Sequence, residues 1–185
     1  FQLTTMIRGE HDAIAQYRDI AKQAEVDLAV EEIITEMVVL SHEKPAVELN
    51  LDFIRGMSDN TKLEIIDEFT NILGLLDFNY NGHNITKRWF VDGRVNFLVD
   101  IDEKNPQNGI RNLQYIDPQK IKKIRDIEKK IVDGHYLVDN IKEYYIYNEN
   151  GIDSAQATSN VANTVTFTTE SIVHANCGLF DPDLN

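Results

Sequence analysis

The chain has 185 residues, 42% of them hydrophobic, with charged residues interspersed and a formal net charge of −13. That length buries a real core, and that mixture describes a folded globular chain rather than a disordered one. So acidic a surface repels a nucleic-acid backbone on average and excludes wrapping by DNA, although it leaves room for a channel wall that does not adhere. The chain starts at Phe1 and is expected to be a piece of a longer polypeptide. No signal-peptide layout is present. Ile72-Leu-Gly-Leu-Leu76, among the longest apolar runs, is far short of the roughly 20 residues of a membrane span. The only cysteine is Cys177, so no internal disulfide and no cysteine-based zinc cluster forms, as suits a reducing cytoplasm.

The first half reads as helical. Ile14, Tyr17, Ala21 and Ala24 recur at helical spacing. Val26, Ala29, Val30, Ile33, Ile34, Met37 and Val38 continue as an apolar stripe, with Glu25, Glu31, Glu32 and Glu36 off it. Those glutamates read as a solvated face, or alternatively as a repulsive surface or a contact for a basic partner. Glu43-Lys-Pro45 ends that helix, and Val47, Leu49 and Leu51 alternate with polar residues as in a short half-buried strand. A turn carrying Gly56 follows. Ser58-Asp59 forms a cap region, with Thr61-x-x-Glu64 as a capping box, ahead of the stripe Leu63, Ile66, Phe69, Leu73 and Leu76. Gly74 inside that stripe costs up to about 1 kcal/mol relative to Ala and marks a close packing point. Asn79 to Gly82 read as a turn. Ile85 and Trp89 then face one way on a further helix, with Gly93 as its C-terminal stop.

The second half reads as strands. Arg94 opens one in which Val95, Phe97, Val99 and Ile101 alternate. Asn105 to Gly109 turn the chain, Leu113 and Tyr115 alternate in the next strand, and Asp117-Pro118 stops it. Ile121, Ile124, Ile127 and Ile131 have helical spacing when read alone; the β surroundings keep a strand open as the alternative. Tyr144 to Tyr147 are strand-like, Asn148 to Gly151 turn, and Ser154 to Thr164 read as a mobile loop or hairpin tip. Val165 and Phe167, then Ile172 and Val173, resume β character. The fold class is therefore α+β, a helical part over 1–93 and a β-rich part over 94–185.

Catalytic signatures are missing. No two of the nine glycines stand as close as a phosphate loop or a dinucleotide fingerprint requires. No pair among His11, His42, His83, His135 and His174 has metal-ligand spacing on a helix. His42-Glu43 is half of a zinc-protease motif, with Ala46 where the second ligand belongs. Asp100 and Asp102 share a strand face, as expected by chance in so acidic a chain. Asn84-Ile-Thr86 fits a glycosylation acceptor with no secretion signal to give it meaning. Cys177 before Gly178 reads as a small strand-end residue with no local base.

Two features stand out. Lys120, Lys122, Lys123, Arg125, Lys129 and Lys130 concentrate a third of the basic residues in one short segment, diluted by Asp126 and Glu128. The bland reading is a solvated face; the sharper ones are a basic edge that meets an acidic neighbour, or contact with phosphate. Lys87-Arg-Trp-Phe90 sets cations beside the only tryptophan, where base stacking is one reading and a core anchor at Trp89 the other. Arg88 and Arg94 are candidate forks for carboxylates.

Long stretches resemble the portal proteins of tailed phages, in the T-even-type myovirus branch. They are Tyr17 to Glu36, Asp67 to Leu73, Leu76 to Asn79, Lys87-Arg-Trp-Phe-Val-Asp-Gly-Arg94, Gly109 to Lys123, Glu143-Tyr-Tyr-Ile-Tyr-Asn-Glu149 and Ile172 to Leu179. Serine is expected where Cys177 stands, and Ser154 to Thr164 matches nothing in the pattern. The resemblance implies a structural, non-enzymatic and cofactor-free protein. It implies a homo-oligomeric ring, typically of twelve copies, at one capsid vertex of the virion. Implied partners are the major capsid protein, the terminase packaging motor, the neck and tail connector proteins and the double-stranded DNA that passes through. Assembly in the host cytoplasm, at the inner membrane, belongs to the same implication. Within such a protein this chain resembles the wing, without the stem, clip or crown. The residues expected at the subunit interface are Lys120, Lys122, Lys123, Arg125, Arg88 and Arg94, and those expected to anchor the structure are Trp89, Tyr115, Asp117 and Pro118. The runner-up is a nucleic-acid-binding module using Lys120 to Lys130.

Overall fold

A computed structural model describes residues 10–39, 45–132, 135–152 and 164–178, with side chains for all of these except Glu10 and residues 127–140. Four helices come first: α1 (Glu10–Ala21), α2 (Ala24–Met37), α3 (Asp59–Leu75) and α4 (Phe78–Asp92). Six strands follow: β1 (Arg94–Ile101), β2 (Ile110–Ile116), β3 (Ile121–Val132), β4 (His135–Asn148), β5 (Thr164–Thr168) and β6 (Ile172–Asn176). The expected α+β class is what the chain adopts.

The strands form two antiparallel three-stranded sheets, ordered β2-β1-β6 and β3-β4-β5. In the first, Phe97 lies between Tyr115 and Val173 across the register. Buried Asn96 receives its cross-strand partner His174 at 2.7 Å, so a polar group inside the sheet is satisfied. In the second, the long β3–β4 hairpin is joined by β5 only over Tyr144 to Asn148. Ile116, Ile121, Tyr145 and Ile172 bury together, which welds the two sheets at the base of that hairpin. A helical core of Ala13, Ile14, Val30, Ile34 and Val38 completes the interior.

The breaks between elements follow local chemistry. Ser58 caps α3, its hydroxyl accepting from the Thr61 amide at 3.2 Å. The cap thus falls in the expected Ser58-Asp59 region, while Thr61 supplies the amide it accepts from instead of opening a box of its own. The expected turn at Asn79 to Gly82 lies inside α4; the break falls at Asp77, which adopts a left-handed conformation with φ 45°. Within α4 the position of Gly82 admits only glycine, because a Cβ there would stand 2.9 Å from the Phe78 ring. Gly93, at φ 72°, ends α4 as its sequence position requires. Among the described residues Gly74 has nothing within 4 Å of where its Cβ would be, so it is not a packing point against them.

Two strand readings change. Val47 to Leu51 form no strand among the described residues, although Leu51 is buried. Alternation alone supplies no hydrogen-bonding partner. Ile121 to Val132 form strand β3, which removes the helical reading of the isoleucine spacing. Ser154 to Asn163 lie outside the described residues.

Candidate functional site

The helical and β parts meet at a charged junction built around Arg18. That side chain leaves α1 and reaches the C-terminal end of α4 and the corner after β2. Nε and Nη2 donate to Asp92 at 2.8 and 2.7 Å. Nη2 and Nη1 donate to Asp117 at 2.9 and 3.1 Å, and Nη1 also donates to the Gln119 side-chain oxygen at 3.0 Å. Every one of the five guanidinium N–H donors is matched, a geometry that lysine's ammonium cannot copy. Asp92 is only 4% exposed, so it is a buried carboxylate that depends on this cation.

The corner is shaped for the task. Asp117 accepts from the Gln119 amide at 3.0 Å, buried Pro118 fixes the turn, and the Ile152 amide donates to the Gln119 carbonyl. Burial pushes the Asp117 carboxyl up, but the Arg18 hydrogen bond, the Gln119 amide and the nearby cations outweigh it and hold it below the usual carboxylate range. The Asp92 hydrogen bond leads in raising Arg18 above its ordinary value, against the opposing effect of burial.

A cleft of about 620 Å³ opens beside this junction, between α1, α2, α4 and β2. Its lining includes Arg18, Lys87, Arg88, Asp92, Tyr115 and Asp117. The Arg88 guanidinium carbon sits 4.4 Å from the centroid of the Tyr115 ring, a cation–π contact, and Tyr115 meets Phe97 edge-on at 6.0 Å. Burial first, then the charges of Asp117 and Asp92, push the Tyr115 phenol up to about 12. Lys87 ties α4 to α2, bonding Glu31 and, at 2.9 Å, Asp27; the same two carboxylates raise its pKa. His83 also lies against Glu31, at 3.2 Å. Arg18 and Lys87 thus meet their carboxylates inside the chain, and Arg88 lies over an aromatic ring. The arrangement braces four elements against one another. Among the described residues no group of three or more His, Cys, Asp or Glu is placed to hold a metal ion, and no helix is long and apolar enough to cross a membrane.

The residues singled out from sequence divide among this junction, the α4–β1 segment and the second sheet. Tyr115 and Asp117 lie in the junction, Pro118 is buried beside it, and Arg88 joins through Tyr115. Trp89 is half-buried on α4, and Arg94 half-buried at the start of β1. Lys120 ends the Pro118–Lys120 turn. Lys122 and Lys123 point to opposite faces of β3, so the basic run does not form one continuous face. Lys123 and Arg125 share a face and share one carboxylate, Glu143, at 2.7 and 3.5 Å. The Lys123 hydrogen bond leads in pulling the Glu143 carboxyl down. The side chains of Lys129 and Lys130 lie outside the described set.

Sequence reasoning missed Arg18, Asp92 and Gln119. Arg18 and Asp117 are 99 positions apart, and no local spacing marks such a pair. The one available signal was the Asp-Pro corner, whose side chains had to bond something.

Comparison with known proteins adds a second line. Residues 10–185 match the family described as Bacteriophage T4-like portal protein (Gp20). A protein named portal protein from Vibrio phage KVP40 (isolate Vibrio parahaemolyticus/Japan/Matsuzaki/1991) is 32% identical over 171 residues, covering 91% of this chain and 33% of that protein. A protein of the same name from Salmonella phage ViI is 30% identical over 138 residues, covering 74% of this chain and 25% of that protein. The chain thus spans a third or less of the length of these curated relatives.

Proposed function

The chain belongs to the T4-like portal protein family, and from that premise we propose that it acts as part of a ring of identical copies at one vertex of a phage capsid. The ring is the passage for packaged and ejected DNA, the mount for the packaging motor and the joint between head and tail. The chain's part is structural, a wing-like outer region of each copy, and involves no catalysis. The observation that carries this reading is the family match spanning residues 10–185, with 32% identity to a portal protein over 91% of the chain.

The physical character of the chain fits that role. The Arg18 cluster spends its charges internally, on joining α1, α4 and the β2 corner. A ring requires heterologous contact, one patch on each copy meeting a different patch on the next. The basic residues Lys120, Lys122, Lys123 and Arg125, with Arg88 and Arg94, are the proposed cationic side of that contact. In the assembled phage the surrounding partners are the major capsid protein, the terminase motor, the neck and tail connector proteins and the DNA.

Electron microscopy of the full-length protein tests this directly. Closed rings, typically of twelve copies, are expected. A compact monomer at high protein concentration overturns the proposal. The competing reading, nucleic-acid binding through Lys120 to Lys130, requires affinity that falls steeply with salt. A salt-dependent DNA titration showing no binding at low salt removes it.

A further inference from the structure

Resting on the reading that copies assemble with one another, we infer that the outer edge of α2 is a docking surface for strand β3 of a second copy. The apolar stripe of α2 is wider than its own chain covers. Val30, Ile34 and Val38 are buried against the body. Ala29, Ile33 and Met37, four residues apart, form a parallel ridge on the solvent side. Ile33 remains 41% exposed and Met37 50%. Beside that ridge runs a row of three exposed glutamates, Glu25, Glu32 and Glu36. On the opposite flank of the helix Asp27 and Glu31 are occupied by Lys87 and His83. Among the described residues, no cation lies within ion-pair distance of Glu25, Glu32 or Glu36.

A ridge of this kind fits a partner that is basic and partly apolar. The same chain presents one. Lys123 and Arg125 project from one face of β3, and only Glu143 lies between them, so two cations share one carboxylate. Ile141, two residues from Glu143 on the same face of β4, is 43% exposed. Among the described strands β3 is also the edge of its sheet, paired on one side by β4 alone. A nucleic acid or an anionic lipid surface would be repelled by the glutamate row. The charge pattern therefore selects a basic protein surface, and β3 of another copy supplies it. Because α2 and β3 are different patches, the contact is heterologous and repeats from copy to copy, which closes into a ring when the rotation permits.

The test uses the full-length protein and native mass spectrometry. Reversing Glu25→Lys, Glu32→Lys and Glu36→Lys together should abolish rings, as should Lys123→Glu with Arg125→Glu. Combining all five changes should restore them, since opposite charges again face one another. A photo-crosslinker in place of Ile33 should join, in otherwise wild-type rings, to the 121–147 segment of another copy. Rings that survive both reversals, a five-fold variant that stays dissociated, or a cross-link to any other segment or protein each overturn the inference while leaving the ring itself standing. Absence of rings in the wild type removes the underlying reading instead.

Discussion

Replacing Arg18 probes the junction most directly. Arg18→Ala strands two carboxylates, of which Asp92 has a side chain only 3% exposed. Removing one partner of a buried ion pair costs about 3–5 kcal/mol. The Arg18 side chain is 29% exposed and Asp117 31%, so solvent screens part of the network. The expected loss is therefore about 2–4 kcal/mol, most of it from Asp92. Arg18→Lys keeps the charge with three donors and no fork, and should fall between wild type and Arg18→Ala. Urea unfolding of the 185-residue chain followed through Trp89, its only tryptophan, measures all three. The acid limb supplies a signed check. Asp117 has a folded pKa below its unfolded value, so its contribution is present above about pH 4 and is lost as pH falls through the folded value. Without Arg18, burial acts on Asp117 unopposed by its strongest partner, and its carboxyl protonates more readily. The gap between wild type and Arg18→Ala should accordingly narrow below about pH 4. A loss under about 0.5 kcal/mol, typical of a surface pair, or an Arg18→Lys variant as stable as wild type, would refute the reasoning.

Three further outcomes are expected. Gly74→Ala, with open space at its Cβ and helical surroundings, should stabilise the isolated chain by up to about 1 kcal/mol in the same urea assay. Ser58→Ala removes the α3 cap and should cost about 0.5–2 kcal/mol, with Ser58→Asp retaining most of the stability. The raised Tyr115 pKa, about 12, means that its stabilising contribution is complete below pH of about 10 and is lost as pH rises through the folded value. Tyrosinate absorbance at alkaline pH should therefore lose its latest-titrating component in Tyr115→Phe.

Much of the fold was legible where one face of an element is buried, as in α2 and β1 but not in α3, which buries no residue fully. The α2 stripe and the alternation of Val95 and Phe97 both report a covered side. The open and mistaken readings occur where that enforcement lapses. β3 belongs to a hairpin joined by a third strand only at its base, so its isoleucines are free to fall at helical spacing without exposing a core. Val47 to Leu51 alternate, yet the partner that makes alternation into a sheet is a non-local fact. Asn79 to Gly82 carry turn-forming residues, but they lie inside α4, and the Phe78 ring against Gly82 shows that this glycine serves close packing and not a turn. The junction was half legible: the Asp117-Pro118 corner announced itself, while the arginine that meets it did not.

The span of the Arg18 contacts has a kinetic meaning. Bringing position 18 to position 117 closes a loop of 99 residues, an entropic cost of about 4 kcal/mol before any bond is made. Such a contact is expected to form after the barrier, once the corner at Asp117 already exists. Arg18 substitutions should then hasten unfolding and leave the refolding rate nearly unchanged in stopped-flow measurements. The guanidinium would serve as a late-closing latch, one that sets how long the assembled domain endures more than how quickly it appears.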